Sequence, residues 1–294
     1  MPLQHLVEYF NDRLGREHRS SFRPFILEEG TVSGLFGPIR IGSSLTPLRQ
    51  TLMPTSIAGH LAQITVAHNK TQHLYANEIE LLLANKSLPS ADFESIINFD
   101  RLSRTVHMLN YLALIHLEGT LFLEVDPRHI LGVKQDHGAY FEEVITQCGL
   151  ETKNVVIVLS VNSQYAPYYQ GLINGLDNYH RRGYQTALKF DYLAPDSQSF
   201  NLIEKVSPNY ISLSARNMEN EHYDDALFEK LARLTSKLSA FGSTSILQQV
   251  DGKKSDLLAR NSGFKLVEGD YYQSIAFDYL SNPNPGYTSL SVGY

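Results

Sequence analysis

Any chemistry in this chain should come from side chains at the ends of its short apolar runs. Three runs stand out: Val155 to Ser160 (VVIVLS), Gln185 to Phe190 (QTALKF) and Tyr210 to Ser214 (YISLS). In a closed parallel barrel, reacting groups sit where strands end and loops begin. The residues there are Leu159, Asn162, Lys189, Phe190, Ser212 and Ser214, and none is an acid. Other candidates offer little more. Ser160, Ser212 and Ser214 have no His and Asp partner at an argued spacing, so a hydrolytic triad is unsupported. Eleven histidines include no HExxH, and His68 and His73 are five residues apart, off a shared helical face. Cys148 precedes Gly149 at a predicted helix end and reads as a small buried hydrophobe rather than a nucleophile.

The three runs are too short for buried helices, and the first and third are rich in β-branched residues. Each reads as a fully buried strand. Amphipathic stretches join them, Ala166 to Arg182 and Ser197 to Val206, which is the alternation of parallel βα units. Before them, helices are predicted over Leu3 to Leu14, Ala91 to Ile115 and Phe141 to Cys148. Strands are predicted over Phe22 to Leu27, Thr31 to Ile41 and Leu121 to Val125. Asp126-Pro127 ends that last strand and opens another helix. After them come a helix over Asp224 to Ser239, a strand over Ser245 to Gln249, a helix over Lys254 to Ser262 and a short strand over Lys265 to Val267. Leu45 to Lys86 shows two helical patterns, Ile57 to Val66 and Leu74 to Ala84. Ser281 to Tyr294 is turn-rich and reads as a loose tail.

The 294 residues suit one (β/α)₈-type domain or two smaller ones, and a hydrophobic fraction of 43% is ample for a core. A net charge of −6 gives no global attraction to nucleic acid or anionic membrane. One cysteine rules out an internal disulfide framework and suits a reducing cytosol. No signal peptide or membrane-length apolar run is found, so a cytoplasmic protein without membrane insertion is expected.

The order of the pieces resembles the EAL domain, the cyclic di-GMP phosphodiesterase fold. Phe22-Arg23-Pro24-Phe25-Ile26 resembles the opening "YFQPIV", and Gly34 to Arg40 falls on "GxEALLR". Asp100-Arg101-Leu102 resembles "LDR", and Leu121 to Pro127 resembles "LFVNVSP". Leu159 to Asn162 falls on "EITE", Ala187 to Phe190 on "ALDD" and Asn209 to Ser214 on "DYIKID". Leu247 to Asp251 falls on "AEGVE", and Gly263 to Tyr272 resembles "GCDYVQGYYF". The resemblance implies a modified (β/α)₈ TIM-type barrel over residues 1–280, with a helical insertion at about 45–86 and a tail over 281–294.

It also implies a site for two Mg²⁺ or Mn²⁺ ions that generate a hydroxide. On this alignment the EAL glutamate is Phe36 and the asparagine is Glu124. The two glutamates of "EITE" are Leu159 and Asn162, and the paired aspartates are Lys189 and Phe190. The "KID" lysine and aspartate are Ser212 and Ser214, and the "AEG" glutamate is Gln248. Hard cations need oxygen ligands. Lys189 puts an ammonium where the ions would sit, a repulsion of several kcal/mol by Coulomb's law, at least as an order of magnitude (about 4 kcal/mol at 4 Å). The expectation is a degenerate domain with no catalytic residues, no metal site and no cofactor.

What remains polar is Arg40, Glu124, Lys189, Asp251 and Glu268, a weak ligand-binding set. Glu124 and Lys189 either form a salt bridge across the mouth or belong to a redesigned ligand site. Arg40 falls on a phosphate-contacting position and equally could pair with Glu268 or Asp251. The 45–86 stretch either caps the mouth or holds ordinary helices of the barrel ring. Tyr165, Tyr168 and Tyr169 either serve protein contacts or pack between loops. Three functions follow. The first is an inactive regulator in bacterial signalling (motility, biofilm or virulence control) that works by protein–protein interaction. The second is a cyclic di-GMP receptor without turnover, and the third is an active phosphodiesterase.

Overall fold

The run Val155 to Ser160 forms a strand with every residue buried, as its continuous β-branched and apolar side chains require. In this computed structural model, residues 2–18, 21–37, 39–66, 93–114, 119–133, 138–161, 163–191, 197–216 and 225–272 are described. Among them are ten strands: β1 (Phe25–Glu28), β2 (Thr31–Phe36), β3 (Ile39–Gln50), β4 (Met53–Val66), β5 (Thr120–Val125), β6 (Val155–Ser160), β7 (Gln185–Phe190), β8 (Tyr210–Ser214), β9 (Thr244–Gln248) and β10 (Leu266–Val267). Strands β4 to β10 pair in parallel, each with the next. Strand β3 runs antiparallel to both β10 and β4 and closes the ring at eight strands. Strands β1 and β2 extend the sheet from the far half of β3, outside that ring.

Helices cover the ring: α1 (Leu3–His18), α2 (Phe93–Tyr111), α3 (Pro127–Gly132), α4 (Ala139–Gln147), α5 (Tyr169–Arg181), α6 (Ser197–Val206), α7 (Asp225–Ala240) and α8 (Lys253–Asn261). The start of α3 follows from its sequence: Asp126 caps it, accepting from Arg128 N at 2.8 Å, and Pro127 occupies the first turn. The alternating pleat splits the apolar residues into two cores. Leu48, Leu61, Phe122, Val158, Ala187 and Ile246 fill the barrel interior. Val155, Ile157 and Leu159 point the other way, into the larger core between strands and helices.

The parallel strands and their helices fall where the sequence predicts them. The early region differs. Thr31 to Ile41 is two strands, broken at Gly37, whose φ of +57° suits a turn rather than a continuous strand. Ile57 to Val66 is not helical, and residues 45–66 are no insertion. They complete β3 and form β4, the hairpin that closes the barrel. The reason is pairing: without β3, both β4 and β10 would expose a row of unpaired backbone groups. The second helical pattern, Leu74 to Ala84, the rest of the stretch to Lys86 and the tail lie outside the described residues.

A buried ionic cluster ties the helices together. Arg104, 1% exposed, pairs with Asp100 one turn away, donates to Tyr179 OH at 3.2 Å and stacks 3.6 Å from the Phe141 ring. Asp100 also accepts from Asp126 N at 3.1 Å and lies 3.0 Å from His129 Nδ1. The cluster thus joins α2 to α3, α4 and α5. Burial alone would raise the Asp100 carboxyl. The Arg104 charge and the His129 and Asp126 contacts outweigh it and hold the carboxyl down at about 2. Burial pushes the nearby His107 imidazole down to about 4.

Two expected outcomes follow. Gly59 on β4 leaves no room for a side chain, since a Cβ there would sit 2.4 Å from Thr120 O. Gly59→Ala should cost about 2–3 kcal/mol, read from urea unfolding, and a neutral result would show that β4 and β5 can part freely. Both titrating groups have folded values below their unfolded ones, so their stability is present at high pH and lost as pH falls. The urea midpoint should drop between pH 6.5 and 4, by on the order of 3 kcal/mol from His107, and drop again below pH 4 as Asp100 protonates. His107→Gln should shrink the first phase, the remainder coming from His129 and His60, whose imidazoles burial also lowers, and an unchanged first phase would assign it elsewhere.

Candidate functional site at the barrel mouth

The mouth is the end of the ring where the parallel strands finish. The pleat decides which residues reach it. Val158 lies in the interior core, so Ser160, two residues on, faces inward too, while Leu159 and Phe190 belong to the outer core. Leu159 and Phe190 are therefore not mouth residues. The inward positions at strand ends are Glu124 on β5, Ser160 on β6, Lys189 on β7, Ser212 and Ser214 on β8 and Gln248 on β9, with Glu268 just past β10. Asn162 lies outside the described residues.

Glu124 is held from two sides. Lys189 Nζ lies 3.2 Å from its Oε2, and Ser160 Oγ donates to its Oε1 at 2.6 Å. The salt bridge that the sequence allows for this pair is present. Burial opposes the Lys189 charge, but Glu124, with Asp191 and Glu268 behind it, more than offsets that and raises its pKa above the usual range.

Glu268 is buried, at 9% exposure, and accepts from Gln249 N at 3.3 Å. Burial raises its pKa. Asp251 and Asp270 push the same way, and the Gln249 amide and Lys189 oppose them. Gln249 sits at φ +59° and its side chain bonds Ser214 Oγ. Asp251 is exposed and accepts from Asp270 N at 3.2 Å. Gly269 permits this crossing, because a Cβ there would lie 2.2 Å from Val250 O. Among the described residues, none partners the Oγ of Ser212, which is 3% exposed.

Four of the five polar candidates, Glu124, Lys189, Asp251 and Glu268, therefore share one electrostatic neighbourhood. Arg40 does not join their hydrogen-bonded set. Its Nη2 lies 2.6 Å from Glu28 Oε2 and its Nε donates to Ser33 Oγ at 2.8 Å, so it pairs within the β1–β2–β3 sheet and not with Glu268 or Asp251. Phe36 is misplaced for the same reason. It packs edge-on against Phe99 at 5.0 Å, on β2 and outside the ring. The ring strand that precedes β5 is β4, where Leu61 faces the interior.

The remaining candidates are quiet. Burial pushes the Cys148 thiol up to about 12, unsuited to nucleophilic work. Tyr165 is buried while Tyr168 is exposed, so the tyrosine cluster divides between packing and surface. Among the described residues, no group of three or more His, Cys, Asp or Glu is disposed to hold a metal ion.

No family model matches the sequence, and no curated protein matches it. Solved structures do. Klebsiella pneumoniae BlrP1, in a calcium and cyclic di-GMP complex, is 15% identical with a TM-score of 0.63, covering 92% of this chain and 64% of that one. The Xanthomonas citri FimX EAL domain, in complex with cyclic di-GMP, is 14% identical with a TM-score of 0.57, covering 92% of each chain. Bacillus subtilis YkuI, which has an EAL domain and is in complex with substrate cyclic di-GMP and calcium, is 12% identical with a TM-score of 0.58, covering 82% of this chain and 61% of that one. This chain thus spans less than two thirds of the length of BlrP1 or YkuI. What it shares with these proteins is the fold, the TIM-type barrel of EAL domains.

Proposed function

We propose that this barrel is a regulatory protein of bacterial cyclic di-GMP signalling that acts by binding another protein and does not hydrolyse a phosphodiester. The observation that carries the reading is the Lys189–Glu124 pair at the mouth. Two-metal hydrolysis needs several ionised oxygens converging on a pair of cations about 3.5–4 Å apart. Here an ammonium already takes the central carboxylate, and Leu61 and Val158 offer no oxygen at neighbouring inward positions. The residues present do not fit a pair of Mg²⁺ or Mn²⁺ ions, and no step is assigned to them.

The alternative is a cyclic di-GMP receptor without turnover, a ligand present in the BlrP1 and FimX complexes. Charge weighs against it. Lys189 faces Glu124, Asp191 and Glu268, and Glu268 faces Asp251 and Asp270. Five carboxylates around one ammonium repel a ligand carrying two phosphate charges.

The purified chain should give no Mg²⁺- or Mn²⁺-dependent hydrolysis of cyclic di-GMP, followed by chromatography of the products. Calorimetry should show no binding of the dinucleotide, with Arg40→Ala indistinguishable from the parent. Binding without turnover would establish the receptor, and turnover would overturn both readings. Lys189→Asp should turn the mouth into a carboxylate trio with Glu124 and Glu268. That variant should take up Mn²⁺ and reduce the free-ion electron paramagnetic resonance signal at concentrations where the parent does not. Equal uptake by the two would show that Lys189 is not the obstacle.

A further inference from the structure

A different surface lies at the end of the barrel opposite the mouth. Three neighbouring connections meet there because β3, β10 and β9 adjoin in the ring. They are the β3–β4 turn, the link from α8 into β10 and the link from α7 into β9. Backbone bonds join them: Thr51 N donates to Lys265 O at 3.0 Å, and Lys265 N to Ser245 O at 3.1 Å.

Each connection exposes something that a solvated turn does not need. Leu52 is 81% exposed, Met53 55% and Phe241 43%. Single exposed apolar residues are ordinary. Here they stand among cations that lack counter-charges. Lys265 is exposed between α8 and β10. Lys237, in the last turn of α7, holds its Nζ 4.4 Å from the Phe200 ring centre and 5.6 Å from that of Phe241. Arg49, at the base of β3, is buried at 8% exposure; its Nη1 donates to Pro54 O at 2.8 Å, and among the described residues its Nε has no acceptor. Residues 51–54, 241–243 and 262–265 contain no carboxylate. Among the described residues, no ion pair engages Arg49, Lys237 or Lys265.

We propose that this basal face is where the protein partner docks, and that the partner presents an acidic segment with interleaved apolar side chains. The inference rests on the reading of the chain as a protein-binding regulator and adds which end of the barrel is used. Charge complementarity selects the occupant. Two exposed lysines, Lys237 and Lys265, with the buried Arg49 guanidinium beneath them, attract an acidic segment and repel a second copy of the same face. Exposed Leu52, Met53 and Phe241 supply the apolar contact that charge alone lacks.

The test uses the full chain and fluorescence anisotropy. The probe is a labelled synthetic peptide alternating Glu with Leu and Phe, beside the same peptide with Lys in place of Glu. The acidic peptide should bind, weaken as salt rises, and lose at least tenfold in affinity in a Leu52→Glu, Lys265→Glu double variant. Lys254→Glu, at the mouth end of α8, should leave binding within twofold. The basic peptide should not bind. Both changed side chains are exposed, and thermal melting confirms that the variant folds.

Failure of the acidic peptide to bind, equal binding of the basic one, or indifference to the double variant would overturn the assignment. So would two other results: adsorption to phosphatidylserine vesicles lost in the same variant, which would name a membrane, and a dimer that Leu52→Glu dissociates, which would name a second copy. None of these readouts touches the mouth, so they fail separately from the dinucleotide assays.

Discussion

One strand running against the other seven is the constraint on which this structure depends. Parallel strands β4 to β10 alone would leave two raw edges. Strand β3 satisfies both, pairing with β4 over most of its length and with β10 near its end. Because β3 runs antiparallel, its turn into β4 must lie at the base of the barrel, and its opening half must lie at the mouth end. The sheet of β1 and β2 is carried on that opening half. Closure also forces β4 tightly against β5, which is why a glycine occupies position 59. The same constraint that completes the barrel places Leu52 and Met53 at its base.

The pleat is the second constraint, and it decides what the mouth contains. Alternation sends Val158 and Ser160 inward and Leu159 outward, so a position in sequence next to a strand end is not automatically a position at the site. Glu124 and Lys189 both face inward on strands separated by β6, and Ser160 on β6 bonds the same carboxylate. The cluster is satisfied internally. A salt bridge this exposed adds little stability. Its consequence is electrostatic: an ammonium stands among the carboxylates of Glu124, Asp191 and Glu268.

Much of this was legible in the sequence, and the exceptions have physical causes. Strands β6, β7 and β8 are short apolar runs bounded by turn residues, and burial on both faces leaves no ambiguity. The Glu124–Lys189 contact followed once β5, β6 and β7 were placed side by side in that order. The closing hairpin was harder. Strand β4 is long and half-buried, with Gly59, His60 and Gln63 interrupting its alternation, so a helical period fitted its apolar residues as well as a period of two. That misreading assigned the mouth to Phe36 and Arg40, which lie on β2 and on the opening of β3 that carries it. The Asp100–Arg104 cluster was invisible for another reason. Burial of an ion pair depends on three helices meeting around it, and no local pattern in α2 announces that they do.

The layering of the barrel explains how a mouth can change while the fold stays. Below the polar rim, Phe122 and Tyr210 meet edge to face across the interior at 5.0 Å, with Val156, Val158 and Ile246 filling the same space. That plug and the outer core hold strands and helices together without help from Glu124, Lys189 or Glu268. Side chains above the plug are therefore free to vary at small cost in stability. A scaffold in which stability and site are stacked in separate layers can change one and keep the other, including a base whose shape is set by the closing hairpin and not by the mouth. Function then has to be argued from the site and the surface of this chain, because the barrel alone permits many.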